Sequence, residues 1–215
     1  LNLFITGTDT DAGKTYVTRL LLDALKQSGI QAAGFKPFCC GGRQDSILLH
    51  QGSAEGPGFT LDEINPIWLK TPASPFTAAL IENRKLDFAG LRRSLDNLTS
   101  RVDHVLIEGA GGWEVPLAPG YTLADYAQEI GWPVLVVVNN RLGALNHTIL
   151  TVKNIQARGL KCAGLVLNYA HEERDAASIS NRMVLESMDL APVVADIMHG
   201  ETDGRELLDA LQEWM

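Results

Sequence analysis

The sequence is poor in cysteine, in basic residues and in long apolar runs, and each shortage removes a class of protein. Three cysteines, Cys39, Cys40 and Cys162, cannot build a disulfide framework. They form no CxxC and join no histidine cluster, so structural zinc is not expected. A reducing, cytoplasmic setting is the simplest expectation. No apolar run approaches the roughly 18 residues needed to cross a bilayer. The longest, Pro133 to Val138, is of strand length. The segment Leu1-Asn2-Leu3-Phe4-Ile5 carries no basic start and no cleavage site, so no export leader is expected. Lysine and arginine number 18 against 26 acidic residues, a net charge of −8. Neither nucleic acid nor a membrane surface is an expected partner, since both require many cations spread over one face. A single anionic ligand stays possible, because charges beyond roughly 8 Å are screened at physiological salt.

With 46% hydrophobic and 20% charged residues among 215, the chain has enough apolar surface to bury a core. There is no internal repeat, linker or low-complexity segment, so residues 1–215 are expected to form one domain. Strands are expected at Asn2–Thr6, Ala32–Lys36, His104–Glu108, Val134–Asn139, Cys162–Asn168 and Pro192–Ile197. Several are apolar throughout, as in Val134-Leu135-Val136-Val137-Val138. Unbroken apolarity means burial on both faces, the signature of a parallel sheet between helical layers. Helical spacing runs through Val17, Leu20, Leu21, Ala24 and Leu25 to a stop at Gly29, and again over residues 144–157. Alternating strand and helix predicts an α/β fold, a three-layer, doubly wound and mostly parallel sheet. Residues 41–75, rich in Gly, Pro and Ser, are expected to be loops around short helices beside the site.

The most specific motif is Gly7-Thr8-Asp9-Thr10-Asp11-Ala12-Gly13-Lys14-Thr15, between the first strand and the first helix. In that context backbone N–H groups and the helix N-terminus converge on phosphate oxygens. Gly13 allows close approach, Lys14 reaches the outer phosphates, and the Thr15 hydroxyl is placed for Mg²⁺. Five residues separate Gly7 from Gly13, one more than the usual four. Either Thr8 takes the place of the first glycine or the loop is widened. This is a P-loop, and it predicts a nucleoside triphosphate ligand. The metal of such a site needs an acidic partner on a neighbouring strand, and Glu108, ahead of Gly109-Ala110-Gly111-Gly112, sits where one is needed. Lys36-Pro37 ends the second strand at the same sheet edge. Asp45, before Ser46-Ile47-Leu48-Leu49, reads equally as a helix N-cap.

Taken together, the Gly-Thr-Asp-Thr loop, Gly34-Phe35-Lys36-Pro37, Glu108-Gly109-Ala110-Gly111-Gly112-Trp113 and Leu142-Gly143-Ala144-Leu145-Asn146-His147 resemble the dethiobiotin synthetase family, nearly end to end. The resemblance implies an ATP- and Mg²⁺-dependent cyclo-ligase of biotin biosynthesis. It converts 7,8-diaminononanoate, CO₂ and ATP to dethiobiotin, ADP and phosphate through a phosphorylated carbamate. It implies catalytic roles for Lys14, Lys36 and Thr10, and metal binding by Thr15, Asp45 and Glu108. ATP would be held by Asp11, Ala12, Gly13, Lys14, Thr15, Tyr16, Glu108 and Asn168, the last reading adenine. Substrate would meet Thr10, Lys36, Cys40 and Gly111. It further implies a homodimer in which Leu142, Gly143, Leu145 and Asn146 hold the substrate's tail carboxylate from the partner subunit. Cys40 stands where the family carries a serine, and Met198-His199 where a proline is expected beside adenine. The competing class is a switch ATPase of the partition type, which uses a second lysine early in the loop. Thr10 and Asp11 occupy that region here. The apolar stripe Leu207, Leu208, Leu211 and Trp214 is backed by an acidic face unsuited to anionic lipid. Another ligase or kinase of the same architecture is the nearer alternative.

Overall fold

A computed structural model describes residues 1–214, with side chains to residue 213; Met215 and the Trp214 side chain lie outside the described residues. In chain order come β1 (Leu3–Gly7), α1 (Lys14–Gln27), β2 (Ala32–Phe35), β3 (Phe38–Cys40), α2 (Gln44–Gly52) and α3 (Leu61–Ile64). They are followed by β4 (Ile67–Leu69), α4 (Pro75–Ile81), α5 (Phe88–Thr99), β5 (His104–Gly112), β6 (Pro116–Ala118) and β7 (Tyr121–Thr122). The chain ends with α6 (Leu123–Ile130), β8 (Val134–Asn139), α7 (Ala144–Ala157), β9 (Cys162–Asn168), α8 (Ala176–Ser187), β10 (Val193–Ile197) and α9 (Arg205–Trp214).

The six strands expected from apolarity pair, all parallel, in the order β10-β9-β8-β1-β5-β2. Their buried residues form one continuous core with the helices flanking the sheet. β1 lies inside the sheet, so its C-terminal end opens between the ends of β5 and β8, where ligands of open α/β sheets bind. Strands β8 and β9 match the expected limits, as does α7.

Several limits differ, each for a local reason. β1 begins at Leu3 because Asn2 leaves the strand and its Oδ1 accepts from Val105 N at 2.8 Å. β2 ends at Phe35, since Lys36 N donates instead to Ile64 O, 2.8 Å away. β10 starts at Val193, with Pro192 O accepting from Leu165 N. β5 runs four residues past Glu108, through an irregularity at which Gly111 takes φ 68°, and Gly7 pairs with Gly112 beyond it. Asp45 is not a helix cap: α2 is capped at Arg43, and Asp45 sits in its first turn, where a carboxylate faces the positive end of the helix. Residues 41–75 hold α2 and α3 as expected, but also β4, which pairs in parallel with β3. The stripe Leu207, Leu208 and Leu211 is buried against the core, so this face is not free for a membrane. Among the described residues no helix is long and apolar enough to cross a bilayer.

Candidate active site

The loop after β1 is shaped around its own glycines. A Cβ on Gly7 would come within 3.0 Å of Lys14 Nζ and 3.1 Å of Ala12 Cβ, whereas Thr8 keeps its side chain and its hydroxyl accepts from Asn139 N. Gly7 is therefore the crowded first glycine and the loop is the widened form. The turn into α1 uses left-handed backbone at Asp11 (φ 57°) and Gly13 (φ 95°). A side chain on Gly13 is barred twice over, since its Cβ would lie 2.1 Å from Asn168 Nδ2. No side chain caps α1 and its first turn holds no acid, so its leading N–H groups stay available to an anion. Lys14 folds back over the loop to Asp9 O at 3.0 Å. Burial, with the Lys36 charge nearby, lowers its ammonium to about 8.

Behind the loop, four groups meet, from α1, β5, α2 and the segment after β2. Glu108 on β5 is fully buried. Its Oε1 accepts from Thr15 Oγ1 at 2.7 Å and from Lys36 Nζ at 2.5 Å. Lys36 Nζ also lies 3.3 Å from Asp45 Oδ2 and donates to Gly109 O at 3.2 Å. Burial works against the Lys36 charge; the Glu108 and Asp45 carboxylates outweigh it and hold the ammonium above its ordinary range. Glu108 Oε2 is buried with no hydrogen-bond partner among the described residues. A buried carboxylate oxygen left bare is costly, and it suits a cation. Thr15, Asp45 and Glu108 thus form a sparse oxygen set that fits Mg²⁺, an ion that keeps water and phosphate oxygens in its shell. Among the described residues no group of three or more His, Cys, Asp or Glu forms a fuller metal cage.

Two cavities flank this cluster. One, of about 440 Å³, is lined by Thr10, Lys36, Cys40, Asp45 and Gly111 together with Phe38, Pro72, Ser74, Pro75 and Val115. Burial pushes the Cys40 thiol up to about 11, so at neutral pH it is a small polar wall and not a nucleophile. The other, of about 390 Å³, is lined by Asp11, Gly13, Tyr16 and Asn168 with Tyr169, Ala170, His199 and Gly200. Asn168 Nδ2 donates to Ala12 O at 2.9 Å, tying the end of β9 to the loop. Tyr16 donates to Glu201 O, and His199 Nδ1 lies 2.9 Å from Ala170 O. Of the second walls, the sequence marked only His199, in the pair expected beside adenine, and it lines the second cavity. Ser74-Pro75 carries a helix-start signal, the serine capping and the proline opening α4, while nothing local marks Tyr169. Leu142, Gly143, Leu145 and Asn146 are not brought to either cavity; they lie after β8 and on the start of α7, with Leu142 81% exposed.

A strand, phosphate loop and helix at the centre of a parallel sheet, with a strand carboxylate behind the loop threonine, define a P-loop nucleotide-binding α/β protein. Solved structures agree on the fold. The chain superposes on the septum site-determining protein MinD of Pyrococcus horikoshii, complexed with Mg-ADP, with a TM-score of 0.60 at 17% identity, covering 99% of this chain and 87% of that one. A putative plasmid partition protein of Borrelia burgdorferi bound to AMPPNP gives a TM-score of 0.63 at 12% identity, over 99% of this chain and 98% of that one. The AAA domain family matches residues 1–201. The ATP-dependent dethiobiotin synthetase of Akkermansia muciniphila is 44% identical over 200 residues, 93% of each chain. That of Cellvibrio japonicus is 37% identical over 222 aligned positions, 96% of this chain and 97% of its own. The chain belongs to the ATP-dependent dethiobiotin synthetase family.

Proposed function

We propose that this chain, as a single P-loop domain, carboxylates 7,8-diaminononanoate with CO₂ and closes the cyclic urea of dethiobiotin at the expense of ATP. The observation that carries the reading is the junction between the cavities: Lys36 lines the first, and its Nζ touches the carboxylate that holds Thr15 of the phosphate loop. A carbamate and a γ-phosphoryl group are both anions, and bringing them into line is the main barrier such a site must lower. The α1 N-terminus, Lys14 and Lys36 supply positive charge on both sides of that line. Thr10 and Gly111 hold the diamine end, and Cys40 takes the wall position where the family carries serine. Thr15, Asp45 and Glu108 would hold Mg²⁺, which when bound would offset phosphate charge while the γ-phosphoryl group passes to the carbamate oxygen and ADP leaves. Asp11, Ala12, Gly13, Tyr16 and Asn168 would seat the nucleotide, with Asn168 facing the base. We assign the chain to a cytoplasmic setting, with Cys39, Cys40 and Cys162 as free thiols.

The exposed Leu142, Gly143 and Asn146, with the half-buried Leu145, belong to this reading only in a homodimer. There the start of α7 would reach the partner's cavity and offer its N–H groups to the substrate's carboxylate. Loop positions 8–12 contain no lysine, which favours small-molecule chemistry over the partition-type switch that shares the fold. The test is Lys36→Ala: ATP binding by calorimetry is retained while dethiobiotin formation falls at least about 100-fold, the scale of losing one transition-state charge contact. Loss of nucleotide binding in that variant would show that Lys36 serves the nucleotide and not the chemistry.

A further inference from the structure

Lys36 sits on the same two carboxylates that the proposed metal would use, and leaves Glu108 Oε2 bare. Its Nζ contacts Glu108 Oε1, Asp45 Oδ2 and the carbonyl of Gly109 at once. Two carboxylates and a main-chain carbonyl are the kind of donor set a hard divalent cation seeks. The local charges already balance, with Lys14 and Lys36 set against Asp45 and Glu108. The Lys36 side chain is only 4% exposed and that of Glu108 0%, while that of Asp45 is half exposed, so screening of a further charge is weak on the Glu108 side of the cluster. A divalent ion that reached Glu108 through its bare Oε2 would share one carboxylate with the Lys36 ammonium on Oε1, and the repulsion between the two cations favours moving one of them. Glu108 lies in a strand paired on both sides, by β1 and by β2. Lys36 has left the strand ladder, carries a flexible four-carbon stem and borders the cavity of Thr10, Cys40 and Gly111.

We propose that Lys36 is a built-in counter-ion for Glu108 and Asp45 that the divalent metal displaces, and that metal loading swings its ammonium into the substrate cavity. The inference rests on the metal site proposed above. Two properties follow. The metal by itself binds weakly, because it must compete with a tethered cation. Nucleotide strengthens it, because the phosphates bring the missing negative charge and a new partner for the released ammonium. Lys36 would thus be turned to the substrate only in a site already loaded for phosphoryl transfer, which disfavours futile hydrolysis.

The test is Mn²⁺ titration without nucleotide, followed by electron paramagnetic resonance, on the wild-type, Lys36→Met and Glu108→Gln proteins. Methionine keeps the length and removes the charge. Lys36→Met should bind one Mn²⁺ at least about tenfold more tightly than wild type, as expected when a buried unit charge a few ångströms away is removed. Glu108→Gln should lose that ion. If Lys36→Met binds no more tightly while Glu108→Gln still abolishes binding, the exchange is wrong and the metal site stands. Binding indifferent to Glu108→Gln overturns both. Should Lys36→Met fail to fold, ¹⁵N-lysine side-chain NMR of the wild type decides: the Lys36 signal moves when Mg²⁺ is added to protein holding a non-hydrolysable ATP analogue. A signal that stays in place overturns the exchange.

Discussion

Lys14 offers a quantitative handle on the phosphate loop. The residue is 6% exposed, and its ammonium is lowered from 10.5 to about 8 by burial and then by the Lys36 charge. Phosphate oxygens seated on the loop would favour the charged form and return Lys14 to full protonation. Nucleotide binding should therefore take up protons, about 0.5 per site at pH 8 and about 0.1 at pH 7, from the fraction of Lys14 deprotonated beforehand. Calorimetry of a non-hydrolysable ATP analogue in two buffers of different ionisation enthalpy reads this number directly. The same shift acts on stability. The folded-state value lies below the unfolded one, so the penalty for charged Lys14 is full below pH 8. It is relieved as pH rises from about 8 toward 10.5, where the unfolded chain binds the extra proton. The relief amounts to about 3 kcal/mol at an exchange of 1.36 kcal/mol per unit. It should be absent from the stability curve of Lys14→Met and so appear in full in the difference from wild type. Proton uptake of zero at pH 8, or equal uptake at pH 7 and pH 8, would refute the buried-lysine argument.

Three further outcomes are expected. Tyr126 buries a hydroxyl with no partner among Phe4 and Phe38, so Tyr126→Phe should stabilise by about 1 kcal/mol and raise Tm by roughly 2–4 °C; a fall of that size would mean the hydroxyl is bonded. Gly13→Ala forces φ 95° on a residue with a Cβ and crowds Asn168. It should cost about 1–2 kcal/mol and weaken ATP binding, and Asn168→Ala added to it should relieve the crowding without restoring full stability. Mixing inactive Lys36→Ala and Asn146→Asp proteins should restore about a quarter of wild-type activity, because half the dimers are mixed and each has one intact site. No recovery after subunit exchange would remove the shared site.

The sheet was legible because continuous apolar runs such as Val134–Val138 have one stable placement, buried on both faces. Limits slipped where a polar side chain or a glycine decided them: Asn2 left the sheet to bond Val105, and Gly109–Gly112 carried β5 on past Glu108. The three-residue β3 and β4 were hidden because so short a run, with Trp68 turned outward, has no period to read. At the site, the loop declared itself through adjacent residues. Lys36 and Glu108 stand 72 positions apart, and the sequence suggested only that both lie at one sheet edge; their direct contact is a product of strand order. Asp45 is the reverse case. Its place before an apolar run suggested a cap, while the first turn of α2 carries it to Lys36.

Ring closure is placed where the two cavities meet, at Lys36, Glu108 and the phosphate loop. Incubating the protein with 7,8-diaminononanoate, ¹³C-bicarbonate and MgATP, and following product mass and ADP together, should yield dethiobiotin carrying ¹³C in its ureido carbon, with one ADP formed per product. ATP hydrolysis without labelled dethiobiotin would rule out this activity.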